Sequence, residues 1–309
     1  MEFELAPAKS FYQIGQRQNQ EDARYPDTDN PWPECTTFVV CDGVGGLDKG
    51  EVASATVASA IGKAMEPFDG KETFGADDFA RVLGIAYRDL ARRNSGESAG
   101  MATTLTFLHF HRGGVFTAHI GDSRIYQFRP RQGIVFRSYD HSLVNTLVRT
   151  GNLTPEEAVD HPQGNIITRC MGGADNENPA AATTVNITDV LPGDVFLLCS
   201  DGVLHCATDS ELADLFDSEL SDAERMKRLA AASESSMDNN TAIAVRVLDI
   251  SRRSENLPEP PAPDDDFEAE HESDPSATRI ITVAEDIAEE VKPEEPSTGK
   301  GFFSRLFGR

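Results

Sequence analysis

The sequence predicts an α+β fold in which helices pack outside one or two antiparallel β-sheets. Predicted helices and predicted strands occur in separate runs rather than in regular alternation, which is typical of this class. Four consecutive predicted strands are separated only by short turns, as in an antiparallel meander. The 309 residues, 39% of them hydrophobic, are enough to bury the core of a globular protein.

The strands are predicted where β-branched and aromatic residues are concentrated between turn residues. They cover residues 36–41, 103–110, 115–120, 124–129, 134–138, 195–200 and 241–248. Helical periodicity and Ala-rich composition predict the helices. These cover residues 51–65, 76–94, 142–150, 155–159 and 222–235. The last strand ends the globular part, and we expect the folded domain to span residues 1–249.

The first predicted strand ends abruptly in an acidic residue. An apolar run leads into Asp42, and Gly43, Gly45 and Gly46 follow it closely. A lone carboxylate at the end of a buried strand needs a charged partner or a metal ion, and glycines let the backbone approach a ligand closely. An ordinary Asp-Gly turn is the alternative for this stretch taken alone.

Other strands repeat the pattern. The strand at 195–200 ends at Asp201-Gly202, and the strand at 115–120 runs into Gly121-Asp122. Asp238 stands just before the last strand, and Glu21-Asp22 form a further acidic pair. If these strand ends converge on one edge, their oxygens form a cage that suits Mg²⁺ or Mn²⁺ better than zinc. Each Asp-Gly alone could be a turn, but their joint occurrence at strand ends favours the metal site.

Together these segments resemble the protein phosphatase 2C family of metal-dependent serine/threonine phosphatases, in the family's order and over about residues 10–248. The matching segments are Gly15-x-Arg17 with Glu21-Asp22, Val40-Cys41-Asp42-Gly43-x-Gly45-Gly46, Gly100-Met101-Ala102-Thr103-Thr104, Gly121-Asp122-Ser123-Arg124, Asp140-His141-Ser142, Ser200-Asp201-Gly202 and Asp238-Asn239-x-Thr241. The stretch 137–173 resembles the bacterial branch in particular. The resemblance implies a four-layer αββα sandwich of two antiparallel sheets flanked by helices, with a metal centre at one edge.

The resemblance also implies roles for the acidic residues. Asp42 would bridge two metal ions, and the carbonyl group of Gly43 would bind one of them. Asp201 and Asp238 would hold the other, and the side chains of Glu21 and Asp22 would order metal-bound water. Asp122 would contribute to a third, weaker metal site.

Arg17 is the expected substrate clamp, because a planar guanidinium can hold two phosphoryl oxygens. Its position five residues before Asp22 matches the family motif. A surface salt bridge is the ordinary alternative for an isolated arginine. The reaction implied is hydrolysis of phosphoserine or phosphothreonine by direct attack of a metal-bridging water, which makes Arg17 and Asp42 the expected catalytic residues.

Three positions bear on how far the family pattern holds. His205 occupies a position where many members carry an acidic residue, which puts the third metal site in question. Val44 stands where eukaryotic members place a histidine thought to protonate the leaving group. His141 could supply a proton instead, but we favour a structural role for it at the start of a helix.

Charge and composition limit the partners. The net charge of −24 argues against nucleic-acid binding through a basic surface. No apolar run approaches the length of a membrane span, and the first residues lack a secretory signal, so we expect a cytoplasmic protein. We also expect a monomer. The five cysteines are odd in number and mostly sit in apolar segments, which favours buried thiols over disulfides.

The C-terminal part differs in composition. Between Ser251 and Gly299 there are fifteen acidic and four basic residues with many prolines, so we expect residues 250–299 to be a disordered linker. Residues 300–309 are basic and aromatic. The apolar residues share one helical face, which predicts docking to the inner membrane surface or to a partner groove; they are Phe302, Phe303, Leu306 and Phe307. A plain disordered end is the alternative.

The sequence therefore predicts a phosphatase with two Mn²⁺ or Mg²⁺ ions that acts on phosphorylated proteins and opposes a bacterial serine/threonine kinase. A second hypothesis is a catalytically weak phosphoprotein-binding scaffold whose tail recruits a partner. The retention of Asp42, Asp201 and Asp238 favours the enzyme.

Overall fold

The computed structural model describes residues 1–44, 49–93, 100–154, 157–158, 161–164, 166–172 and 179–251. Most of the helix predicted at 155–159, residues 252–299 of the predicted linker and the predicted docking segment 300–309 lie outside these residues. None of the described helices is long and apolar enough to cross a membrane.

Thirteen strands occur in the described residues. In chain order they are β1 (Glu2–Leu5), β2 (Lys9–Gln13), β3 (Asp22–Tyr25), β4 (Thr37–Val44), β5 (Ala102–Thr103), β6 (Leu105–His111), β7 (Gly114–Ile120), β8 (Arg124–Arg129), β9 (Gly133–Arg137), β10 (Met171–Gly172), β11 (Thr183–Ile187), β12 (Val195–Cys199) and β13 (Asn240–Ser251). The final strand therefore runs two residues past the domain end expected at residue 249.

Six helices are described. They are α1 (Gly50–Met65), α2 (Ala76–Arg93), α3 (Leu143–Arg149), α4 (Asp201–Leu204), α5 (Asp209–Asp217) and α6 (Asp222–Ser233). The sequence did not predict α4 or α5, although Thr208 and Glu211 form a capping box that marks the start of α5. It also missed β1, β2, β3, β10 and β11, which are short.

The strands form two sheets in which every paired strand is antiparallel, as the meander pattern predicted. The first sheet has the order β1-β13-β12-β8-β9, and β2 also pairs with β13. The second has the order β10-β5-β4-β6-β7-β11, and β3 pairs with β4. β1 and β2 pair with the two halves of the long β13, so distant partners rather than local propensity fix these short strands.

Side chains that alternate along each central strand divide the core into three apolar layers. In β4, Phe38 and Val40 pack between the sheets, whereas Val39 and Cys41 pack against residues of α1 and α2. In β12, Phe196 and Leu198 face the other sheet. The alternate residues Val195, Leu197 and Cys199 pack against α5 and α6. Since each sheet is buried on both faces, the fold is the expected four-layer αββα sandwich. All five cysteines are free thiols.

A buried histidine lies in the second sheet. The ring of His109 is 1% exposed and its Nδ1 lies 2.9 Å from Thr37 Oγ1. Burial and the neighbouring His111 lower the pKa of His109 to about 3. In the unfolded chain a histidine titrates near pH 6.5, so below that pH the unfolded state binds a proton that the folded state does not.

We therefore expect acid to destabilise the metal-free protein through His109. At pH 5 this one group should lower the free energy of unfolding by about 2 kcal/mol relative to pH 8. Chemical denaturation in EDTA at both pH values should show that the free energy of unfolding falls less between pH 8 and pH 5 in His109→Phe than in wild type. Thr37→Val removes the same hydrogen bond but no titrating group, so its free energy of unfolding should fall between pH 8 and pH 5 by as much as that of wild type. Equal losses in wild type and His109→Phe would contradict the assignment.

Candidate metal centre and phosphate site

The strand ends bring the predicted acidic residues to one edge of the sandwich. Pairing of β3 with β4 places Asp22 directly opposite Asp42. Asp201 opens α4 just after β12, and Asp238 lies two residues before β13, the neighbour of β12 in the first sheet. Asp42 and Asp201 are close enough to share a hydrogen bond, which joins the edges of the two sheets.

The electrostatics of this cluster are unfavourable to four ionised carboxylates. Burial raises the pKa of Asp42 well above its ordinary range, and the neighbouring Asp201, Asp22 and Asp122 raise it further. Burial also raises the pKa of Asp22 and of Asp122 to about 7, with Asp201 adding to both. Like charges held together in a buried place need protons or a cation between them.

Unpaired oxygens point to a cation. Among the described residues, Asp22 Oδ1, Asp122 Oδ1 and Asp201 Oδ1 are buried without a hydrogen-bond partner. No three acidic, histidine or cysteine side chains in the described part of the chain are already arranged around one point as metal ligands. The donor chemistry nevertheless fits Mg²⁺ or Mn²⁺, because the unpaired donors are carboxylate oxygens.

A pair of glycines lets helix α1 approach the end of β4. A Cβ atom on Gly43 would lie 2.4 Å from the backbone carbonyl carbon of Gly50, so no larger residue fits there. The Gly43 amide donates to the carbonyl oxygen of Glu21 at 3.0 Å, and the Ser54 hydroxyl donates to the same oxygen at 2.5 Å. Glu21 and Gly43 are thus fixed beside Asp42 by backbone contacts.

Arg17 lies at the rim of the acidic cluster. Its Nη2 donates to Asp238 Oδ2 at 2.7 Å, and half of its side chain is exposed. The hydrogen bond to Asp238 raises the pKa of Arg17, which keeps it charged. Its outer face is available to a phosphoryl group while one edge stays paired with Asp238.

Asn239 fixes the loop that carries Arg17 and Glu21, a role the sequence did not assign. Its Oδ1 accepts from the Glu21 amide at 2.8 Å. Its Nδ2 donates to the carbonyl oxygens of Ile14 and Asn19, both at 2.9 Å. This buried amide therefore ties three points of the loop to the segment of Asp238. Asn239 belongs to a matched motif, so its presence was visible but its contacts were not.

Buried hydroxyl groups hold the end of β4. The Asp42 amide donates to Thr104 Oγ1 at 2.9 Å, and the Thr104 amide donates to the Asp42 carbonyl oxygen at 2.8 Å. Thr104 Oγ1 also lies 2.8 Å from Ser123 Oγ, next to Asp122. Thr103 Oγ1 donates to the Asp42 carbonyl oxygen as well. Thr104 thus positions Asp42 and links it to the Asp122 loop.

Thr104→Val is expected to lower the free energy of unfolding by about 2 kcal/mol, because the Asp42 amide loses its buried acceptor. Loss of this support should also lower kcat/KM about tenfold. Urea denaturation and a phosphatase assay measure the two effects. Thr104→Ser keeps the hydroxyl group and should preserve activity within about threefold; an equal loss in both variants would argue against the hydrogen bond as the cause.

His205 lies beside the acidic cluster. Its Nε2 is 3.9 Å from Asp201 Oδ2, and 44% of its side chain is exposed. Val44 closes β4 and pairs with Ala102, and its apolar side chain cannot act as a general acid. His205 directly follows α4, one turn after Asp201.

His141 is engaged in the structure rather than presented to a substrate. Its ring stacks on His119 with centroids 4.5 Å apart. Nδ1 accepts from the Gly121 amide at 3.1 Å, and Nε2 lies 2.9 Å from Thr183 Oγ1. Burial and His119 lower the pKa of His141 to about 4. These contacts support the structural role favoured from the sequence.

Comparison with known proteins identifies the family. The family model for protein phosphatase 2C matches residues 14–245, which is most of the chain and includes every acidic residue of the cluster. The chain belongs to the protein phosphatase 2C family. The protein phosphatase PhpP of Streptococcus pneumoniae is 35% identical over 214 residues, covering 68% of this chain and 85% of PhpP.

Solved structures of bacterial family members have the same fold. The Mycobacterium tuberculosis serine/threonine phosphatase PstP/Ppp superposes on this phosphatase with a TM-score of 0.67 at 27% identity, over 79% of this chain and 100% of that one. The catalytic domain of PstP in complex with two manganese ions gives a TM-score of 0.63, also at 27% identity, over 79% of this chain and 99% of that one. The fold and the family expected from the sequence are thus confirmed.

Proposed function

We propose that this protein is a metal-dependent serine/threonine phosphatase that hydrolyses phosphoserine and phosphothreonine in proteins. One observation carries the proposal: acidic side chains from the ends of both sheets converge with unpaired buried oxygens beside the exposed face of Arg17. The names of the relatives support the same enzyme class. A scaffold without activity would not need this costly arrangement of carboxylates.

The proposed metal ligands are Asp42, the Gly43 carbonyl, Asp201 and Asp238, with Glu21 and Asp22 ordering water and Asp122 serving a weaker third site. When bound, two divalent cations supply an activated water and neutralise charge on the phosphoryl group. The manganese ions in the PstP structure support Mn²⁺, and the oxygen donors suit Mg²⁺ equally well.

The residues of the chain divide the remaining work. Arg17 holds the phosphoryl oxygens from the rim, and its contact with Asp238 orients the guanidinium. Asp42 is held by Thr103 and Thr104 so that its carboxylate faces Asp201. Asp22 accepts from the Ser200 hydroxyl at 2.8 Å through Oδ2, and its Oδ1 is buried without a hydrogen-bond partner.

Neither His141 nor Val44 is suited to deliver a proton to the leaving group. The His141 ring is stacked and hydrogen-bonded, with a pKa of about 4, and the side chain of Val44 has no ionisable group. Aryl phosphates have good leaving groups and need no acid. We therefore expect kcat for aryl phosphates to exceed kcat for alkyl phosphates such as phosphoserine peptides.

Phosphate release by the full chain tests the proposal. The metal-free protein is assayed with p-nitrophenyl phosphate and with a phosphothreonine peptide, in Mn²⁺, in Mg²⁺ and in EDTA. Turnover of both substrates in either cation and none in EDTA is the expected result. Binding of the phosphopeptide without metal-dependent release would instead support the scaffold hypothesis.

The proposed substrates imply a serine/threonine kinase that produces them. We retain the prediction that residues 300–309 dock the enzyme through Phe302, Phe303, Leu306 and Phe307, either at a membrane surface or in a partner groove. The acidic linker before this segment would act as the tether.

A further inference from the structure

Two turns of the chain meet beside Arg17. The Gln16 amide donates to the Ser236 carbonyl oxygen at 2.9 Å, and the Asn239 side chain donates to the Ile14 carbonyl oxygen. A Cβ atom at Gly15 would lie 2.2 Å from the Asp238 carbonyl oxygen, so the two backbones are in direct contact. Residues 14–17 and 236–239 therefore form one surface next to the proposed phosphate site.

This surface carries two exposed apolar side chains, Ile14 and Met237, which we call the apolar ledge. Met237 is 76% exposed and is the most exposed large hydrophobic residue in the described part of the chain, and Ile14 is 45% exposed. Single exposed apolar side chains are common on protein surfaces. Here, however, Met237 directly precedes Asp238, the partner of Arg17, and Ile14 accepts a backbone hydrogen bond from Arg17 at 3.3 Å.

The residues that precede and follow Arg17 beside the ledge are mostly uncharged amides. Between residues 13 and 20 the only charged residue is Arg17, and the others include four glutamines and one asparagine. A peptide bound with its phosphate at Arg17 would thus meet amide and apolar groups from residues 13–20 on this side. The carboxylates of Asp238 and Glu21 disfavour an acidic flank.

We propose that the apolar ledge binds an apolar side chain next to the phosphorylated residue and so sets the sequence preference of the enzyme. The inference rests on the proposed function and names a class of substrate for it. Met237 suits this role because its flexible thioether side chain adapts to different apolar partners. Burying it against the peptide removes apolar surface from water, which favours binding.

The test uses the full chain in Mn²⁺ and two phosphothreonine peptides that differ only in having leucine or serine at both flanking positions. Wild type should show a kcat/KM about tenfold higher for the leucine peptide. Met237→Ser should reduce this ratio to about two, whereas Met237→Leu should keep it. Leu191→Ser changes an exposed leucine shortly before β12, at 45% exposure like Ile14, so it should leave the ratio unchanged.

The outcomes separate the ledge from its alternatives. If Met237→Ser only disturbs Asp238, kcat/KM falls for both peptides and the ratio between them stays as in wild type; this result would overturn the inference. A wild-type ratio near one would overturn it as well. If no substrate is hydrolysed, the proposed function fails by itself. Fluorescence polarisation of the same labelled peptides then measures binding at the ledge without turnover. Wild type should bind the leucine peptide more tightly than the serine peptide, and Met237→Ser should bind both equally. Equal binding of both peptides to wild type would refute the inference.

Discussion

Asp42→Asn is expected to lower kcat/KM for p-nitrophenyl phosphate by at least about a thousandfold, because it removes a carboxylate proposed to hold the metal ions. The same change should stabilise the metal-free protein at pH 8. Burial and three neighbouring carboxylates raise the pKa of Asp42, so its ionised form opposes folding there, and a neutral amide removes that cost. Steady-state kinetics and thermal unfolding in EDTA measure the two effects.

The two effects have opposite signs, which distinguishes loss of function from loss of structure. In wild type, Mn²⁺ should raise the melting temperature by binding the folded state, and in Asp42→Asn this rise should be largely lost. Asp249→Asn, an exposed position near the far end of β13, serves as the control. Full activity of Asp42→Asn, or an unchanged response to Mn²⁺, would refute the assignment of Asp42.

Arg17→Ala is expected to lower kcat/KM about a hundredfold for aryl phosphate and phosphopeptide alike, because the group that holds the phosphoryl oxygens is lost. Arg17→Lys keeps the charge but not the planar fork, so it should recover only part of this activity. Arg81→Ala removes an exposed arginine that pairs with Asp78 on α2 and should have no effect.

Arg17 also pairs with Asp238, so a purely structural role has to be separated from substrate binding. If Arg17 only holds Asp238, Arg17→Ala should raise the Mn²⁺ concentration needed for half-maximal activity and leave the KM for substrate unchanged. A higher KM at saturating Mn²⁺ is the result expected of a phosphate clamp. Activity within twofold of wild type would contradict the proposal.

Much of the fold could be predicted because its central strands are apolar and its turns are short. Each of the seven predicted strands corresponds to observed strand structure, and the helices at 51–65, 76–94, 142–150 and 222–235 are found within a few residues of their predicted ends. The missed strands are short, and most of them contain several polar residues. β3, for example, reads Asp-Ala-Arg-Tyr and is a strand because β4 supplies its hydrogen-bond partners, 14 or more positions further along the chain.

Part of the candidate site could likewise be predicted from the sequence, and part only from the structure. An acidic residue at or beside the end of an apolar run is a local signal, so the residues alone predicted Asp42, Asp122, Asp201 and Asp238, with Glu21-Asp22 as a further acidic pair. The resemblance to the family added Arg17 and the role of each residue. Only the tertiary structure decided that Asp22 faces Asp42 and that Ser200, 178 residues away in sequence, donates to Asp22. It also decided that Asn239 binds the backbone 225 positions earlier. Such contacts arise from the stacking of two sheets, and a single sequence carries no local pattern for them.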